Sequence, residues 1–84
     1  MGRYSVTLDD GDQLVSGVEV DRDSLEGAVR ENLLDAATMA LIALENCPGR
    51  RTTQLRVEDL ETGEWKLCLV TVSLSSFVGQ RPRH

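Results

Sequence analysis

Two stretches near the start of the chain alternate strictly between apolar and polar residues. Residues 3–8 place Tyr4, Val6 and Leu8 on one parity, and the alternation resumes over residues 14–21. A period of two puts one set of side chains on one face of a β-strand. The Asp-rich, Gly-containing residues 9–12 between them favour a tight turn. The pattern therefore predicts a β-hairpin.

Gly17 interrupts the second predicted strand. A glycine inside a strand marks a bulge or a close backbone approach rather than a packing position. We expect residues 14, 16, 18 and 20 on one face of this strand and residues 15, 17, 19 and 21 on the other.

The period changes to that of an α-helix over residues 24–46. Asp23, followed three residues later by Glu26, gives a capping-box arrangement at its start, and Cys47-Pro48-Gly49 ends it. One stripe of this helix is apolar and is expected to pack on the sheet. The stripe comprises Leu25, Val29, Leu33, Ala36, Ala40, Ala43 and Leu44.

Three large apolar residues of the helix lie outside this stripe. Leu34 and Leu41 are well off its centre, and Ile42 points nearly to the polar side. A helix that is apolar over most of its circumference needs cover on more than one side. Either a second copy of the chain packs on this flank, or the last strand or the tail folds over it.

Two further strands follow. Residues 53–58 alternate, residues 61–64 form a turn, and residues 65–74 are apolar on both parities. A strand with two apolar faces is central, carries a bulge, or has a second buried face. The order β-β-α-β-β predicts the α+β class, with one long helix on one face of a four-stranded, mostly antiparallel sheet. We place strands one and four in its middle.

The chain has 84 residues, which suffices for one small domain. We expect this domain to span residues 1–75 and residues 76–84 to form a flexible C-terminal tail. Phe77 is the residue of that tail most suited to pack against the domain. At this length folding buries roughly 60% of the surface of the unfolded chain, so the core is thin.

The charge is unevenly distributed. The net charge is −5, and residues 1–32 hold eight acids against three arginines, whereas residues 47–84 hold four acids against six basic residues. Parts of opposite sign permit self-association through complementary patches.

Residues suited to catalysis or metal binding are sparse. The one histidine is His84, so no serine or cysteine has an imidazole partner inside the fold. Cys47 and Cys68 are too far apart for a C-x-x-C motif and are expected to be reduced thiols, with a single disulfide as the alternative. The acidic turn at 9–12 is expected to be solvated rather than a weak cation site. We predict no enzymatic activity, no metal and no cofactor.

Arg50 and Arg51 begin the only basic grouping, which continues with Arg56, Arg81 and Arg83. It lacks aromatic residues for stacking and acts against an acidic net charge, so we expect protein contact and no nucleic-acid binding. No stretch reaches the length of a membrane span or signal peptide, which predicts a cytoplasmic protein without a membrane partner. The predicted interaction surface comprises Leu34, Leu41, Ile42, Arg50 and Arg51.

Several local sequences also suggest a family. Arg3-Tyr4 precedes the first strand, Asp10-Gly11 follows it, and Val57-Glu58-Asp59 precedes a glycine-containing turn and an apolar strand. In this order, over residues 3–74, the chain resembles a family of small uncharacterised proteins common in rhizobia and related bacteria. Gly2 stands where that family has proline. The resemblance implies the fold and no particular activity.

Leu25-Glu26-Gly27-Ala28 also resembles the opening of the helix in HicB-type antitoxins. The Pro-x-x-x-Gly-Cys-type segment of those proteins and their DNA-binding element are missing. We expect a non-enzymatic protein-interaction module that forms a homodimer or binds an unidentified protein partner. The alternative that this second resemblance implies is an antitoxin subunit that neutralises a small basic toxin.

Overall fold

The computed structural model describes residues 2–46, 49–75 and 77–80. Four strands and one helix follow each other as β1 (Gly2–Asp9), β2 (Leu14–Arg22), α1 (Leu25–Asn46), β3 (Arg50–Asp59) and β4 (Trp65–Ser73). The strands form one antiparallel sheet, and α1 packs on one of its faces. The predicted α+β class and the order β-β-α-β-β are confirmed. The predicted helix stop at Cys47-Pro48 and residues 76 and 81–84 of the predicted tail lie outside the described residues.

The strand order is β2-β1-β3-β4, so β1 and β3 are central. Our placement of the fourth strand in the middle is wrong. After α1 the chain returns beside β1, where Val57 pairs with Val6, and the β3–β4 hairpin then leaves β4 at an edge. The register between β3 and β4 runs without a shift. The apolar residues on the second parity of β4 therefore form an exposed face of an edge strand.

The core lies where α1 crosses the sheet. Ala28, Ala36 and Ala40 are fully buried on the helix, and the first two pack in one cluster with Leu55 and Val57 of β3. Alanine side chains let the helix backbone approach the sheet closely. Helix α1 contacts β3 and β4 extensively but β1 and β2 only slightly. Tyr4 and Val6 of β1 are nevertheless buried in the core, and on the helix-facing side of β2 Val15 and Val18 stay exposed.

The capping-box pattern predicted Asp23 as the N-terminal cap of α1. The structure has Ser24 in this position. The Ser24 Oγ accepts a hydrogen bond from the Gly27 amide at 3.0 Å, and the Ser24 carbonyl accepts one from Ala28. Glu26 accepts a hydrogen bond from the Lys66 Nζ of β4.

Gly17 lies at a bulge, which confirms one of the two expectations for this residue. The register between β1 and β2 shifts between Val6 and Leu8, and Gly17 has a φ of +75°. The shift pairs Val15 with Leu8, so Val15 and not Leu14 shares the helix-facing side with Val18. Our face assignment is therefore wrong for the part of β2 before Gly17.

We predict that Gly17→Ala lowers the free energy of unfolding by about 1 kcal/mol, because a Cβ is disfavoured at this positive φ. Nothing lies within 4 Å of the position that the Cβ would occupy, so the loss would report backbone strain alone. Urea denaturation measures it, with Ser16→Ala as the control in the same strand. Equal stability of Gly17→Ala and the parent chain would contradict the assignment of the bulge.

Thr53 is fully buried on the helix-facing side of β3, and its Oγ1 has no hydrogen-bond partner within the described part of the chain. An unpaired buried hydroxyl destabilises a fold by about 1–3 kcal/mol.

We therefore predict that Thr53→Val raises the free energy of unfolding by about 1 kcal/mol, since a methyl group replaces the unpaired hydroxyl. Thermal and urea unfolding measure it. The control is Thr52→Val, because the Thr52 hydroxyl is 2.9 Å from that of Thr71 and its removal should give no gain. A loss of stability in Thr53→Val would show that the hydroxyl is satisfied.

Candidate functional site

The five residues predicted to form one interaction surface lie on three different surfaces. Leu34 and Leu41 share one flank of α1, seven residues and nearly two turns apart. Ile42 and Arg51 line a cavity on the other flank. Arg50 pairs with Ser73 and has the parity of the sheet face opposite the helix. Leu41 and Ile42 are neighbours in sequence, but a helix rotates about 100° per residue and separates them.

The flank with Leu34 and Leu41 borders the outer edge of β4. Glu26, which lies on this side of α1, accepts a hydrogen bond from the Lys66 Nζ of β4 at 2.8 Å. Leu34 is 74% exposed and Leu41 50% exposed. Two large apolar side chains therefore stand in solvent on the flank of α1 that is tied to β4 by this ion pair.

The other face of β4 is apolar as well. Trp65, Leu67 and Leu69 are exposed on the sheet face away from α1. The Arg56 guanidinium lies 5.2 Å from the centre of the Trp65 ring, within the range of a cation–π contact. Trp65 is thereby held against the sheet.

We call Leu34, Leu41, Trp65, Leu67 and Leu69 together the β4 surface. Sequence reasoning identified its two helix residues and missed the three on the strand. The apolar residues on both parities of the fourth strand were the available signal. A central strand, a bulge or a second buried face would give the same pattern, so the pattern alone does not identify an exposed face.

The flank with Ile42 faces the tip of the β1–β2 hairpin across a cavity of about 360 Å³. We call it the hairpin groove. The helix supplies its apolar floor with Met39, Ile42 and Ala43. Polar and charged side chains surround this floor: Asp10, Asp12, Gln13, Asp35, Thr38, Asn46 and Arg51.

The acidic turn is one wall of this groove. The Asp10 Oδ1 accepts hydrogen bonds from the amides of Gln13, at 2.6 Å, and Asp12, at 2.9 Å. These two bonds hold the pKa of Asp10 below its ordinary value, and the nearby Arg51 adds to the effect. These contacts favour the charged form of the Asp10 carboxyl. No group of three or more metal-ligating side chains occurs among residues 2–46, 49–75 and 77–80.

Comparisons with known proteins return nothing that resembles this chain: no family model, no curated protein and no solved structure matches it. In the described part of the chain, no helix has the length and apolar character to cross a membrane.

The ion pair between Glu26 and Lys66 ties the helix flank to β4 and gives a prediction on pH. Its hydrogen bond lowers the pKa of Glu26 and raises that of Lys66. Lys66→Gln should therefore be less stable than the parent chain across the neutral range. The difference should fade as pH falls through the lowered pKa of Glu26, and again as pH rises through the raised pKa of Lys66.

Urea denaturation at a series of pH values from about 3 to about 11 tests this. Lys66→Arg, which keeps the charge, should follow the parent chain closely. A stability difference between Lys66→Gln and the parent that is constant over the whole range would contradict the pairing.

Proposed function

We propose that this protein is a non-enzymatic interaction module that self-associates as a homodimer through the β4 surface. The observation that carries the proposal is an edge strand with one exposed apolar face, formed by Trp65, Leu67 and Leu69. The helix that covers the other face of β4 exposes Leu34 and Leu41 in addition.

The outer edge of β4 has the properties of a pairing surface. Its nine residues follow an unbroken register on β3, contain no proline and include one charged residue, Lys66. Natural sheets protect their edges with bulges, prolines or several charges, because unpaired amides and carbonyls accept another strand. The opposite edge, β2, has such protection in the bulge at Gly17. Of the two edges, β4 is the one open to pairing.

Two copies of β4 can pair antiparallel about a two-fold axis at Leu69. This register places Lys66 of each copy opposite Val72 of the other, so the two lysines do not face each other. Pairing across the axis would join the sheets of the two copies into one of eight strands. It would bring the helix flanks together on one face and the strand leucines together on the other.

Partial burial of these side chains against those of the second copy supplies the driving force. Removing a leucine side chain fully from water is worth about 1.5–3 kcal/mol, and each lateral contact across the paired strands gains a part of this. Backbone hydrogen bonds between the two edge strands add directionality. The non-enzymatic part of the proposal rests on the sequence, in which the only imidazole is that of His84.

We predict that Leu41→Asp raises the dissociation constant of the dimer at least about tenfold, since a loss of about 1.4 kcal/mol suffices for this. Sedimentation equilibrium over a concentration series measures it. Ile42→Asp is the matched control: Ile42 is adjacent in sequence and 55% exposed, against 50% for Leu41, but lies on the other flank and should leave the dimer intact.

Leu69→Lys tests the strand side of the same surface and should also favour the monomer. A parent chain that stays monomeric at high concentration would overturn the proposal. The proposal would also be overturned if Ile42→Asp dissociated the dimer and Leu41→Asp did not. The contact would then lie on the flank of α1 that carries Ile42.

A further inference from the structure

The hairpin groove combines an apolar floor with carboxylates on two separate walls. Asp12 belongs to the turn between β1 and β2 and Asp35 to α1, and the floor consists of Met39, Ile42 and Ala43. We propose that this groove binds an aliphatic diamine or polyamine. The ammonium groups of the ligand pair with Asp12 and Asp35, and its methylene chain lies on the floor.

The size and shape of the groove suit an elongated small molecule. Its volume of about 360 Å³ is in the range of small-ligand sites, roughly 300–1,000 Å³. The helix residues that line it extend from Asp35 to Asn46, which corresponds to about three turns or roughly 16 Å along the helix axis. An extended chain can follow this length, whereas a compact ligand would occupy only part of it.

The floor offers apolar contact in an accessible position. Ile42 is 55% exposed, and Met39 and Ala43 are half-buried. Residues three and four apart are neighbours on a helix surface, so these three side chains form one continuous strip. Each methylene group that lies on this strip leaves water, which favours a cation with an aliphatic chain over a bare cation.

The charges of the groove match two positive groups. The groove holds Asp10, Asp12 and Asp35 against Arg51, three negative charges and one positive, for a net charge of −2. Arg51 lies near Asp10 and contributes to the lowered pKa of that carboxyl, so these two charges offset each other. Asp12 and Asp35 carry the remainder. Alkyl amines, like the lysine side chain, are protonated at neutral pH, and a diamine therefore brings two positive charges.

Two simpler ligands each match only one of these properties. A divalent metal ion has the required charge but leaves the apolar floor in water. A monoamine covers the floor but neutralises one carboxylate. A ligand with two positive groups joined by an apolar chain matches both the charge and the floor, and the two simpler ligands serve as its controls.

A titration of the full chain, followed by the chemical shifts of its backbone amides, tests the proposal. The ligands are diaminobutane, diaminohexane and diaminooctane, with hexylamine and Mg²⁺ as controls. We expect saturable shifts with at least one diamine, largest for residues 10–13 and 38–43. Hexylamine and Mg²⁺ should bind at least about tenfold more weakly than the tightest diamine. Salt should weaken diamine binding, because the carboxylates of the groove are accessible to solvent.

The carboxylates are tested by a pair of variants with equal loss of charge. Asp12→Asn combined with Asp35→Asn should raise the dissociation constant of the diamine at least about tenfold. Glu61→Gln combined with Glu64→Gln is the matched control. It removes the same charge from the turn between β3 and β4, outside the groove, and should have a much smaller effect.

The floor is tested by Ile42→Asn, which should weaken diamine binding several-fold and leave the binding of Mg²⁺ unchanged. Leu41→Asn is its control on the other flank. It should impair the proposed dimer and leave diamine binding unchanged, so the two proposals can fail independently.

The proposal would be overturned if none of the three diamines gave saturable shifts. Binding of hexylamine or Mg²⁺ as tight as that of the diamines would overturn it too, because one charge or a bare cation would then suffice. An unchanged dissociation constant in the protein with Asp12→Asn and Asp35→Asn would contradict the assignment of the two carboxylates.

Discussion

The packing of the alanine stripe of α1 on the inward face of β3 is the interaction on which the rest of the structure depends. Ala28 and Ala36 are fully buried there, in one cluster with Leu55 and Val57. Small side chains allow a close approach, but they also make the covered strip narrow. Helix α1 lies mainly over β3 and β4. It therefore leaves Val15 and Val18 of β2 exposed, as well as residues on both of its own flanks. The exposed apolar residues of the helix follow from this geometry.

The two flanks of α1 differ in what surrounds them. Leu34 and Leu41 stand exposed on one flank, and the proposed dimer would cover them together with the exposed face of β4. Ile42 lines the hairpin groove on the other flank, beside the acidic turn that holds Asp10 and Asp12. The apolar residues of one helix thus lie in two surroundings of different charge.

The parts of the fold that depend on local periodicity could be predicted from the sequence. The alternation of Tyr4, Val6 and Leu8 and the helical period over residues 24–46 both correspond to elements of the structure. The edge position of β4 could not be predicted, because it follows from the long-range pairing of β1 with β3. The interaction surface that combines Leu41 with Ile42 stays a prediction, and a related limit applies to it. Both residues lie off the apolar stripe, and only the position of the sheet decides that they lie on different flanks of the helix. The shift in face before Gly17 requires knowledge of where the bulge falls.

Amide hydrogen exchange, compared between dilute and concentrated protein, tests self-association through β4 most directly, because it reports on the two sheet edges separately. Pairing of two copies predicts that the outward amides of β4 gain protection with concentration, while those of β2, the edge with the bulge, do not. Equal exchange of the β4 amides at both concentrations, or a gain confined to β2, would contradict the edge pairing from which the proposed function is drawn.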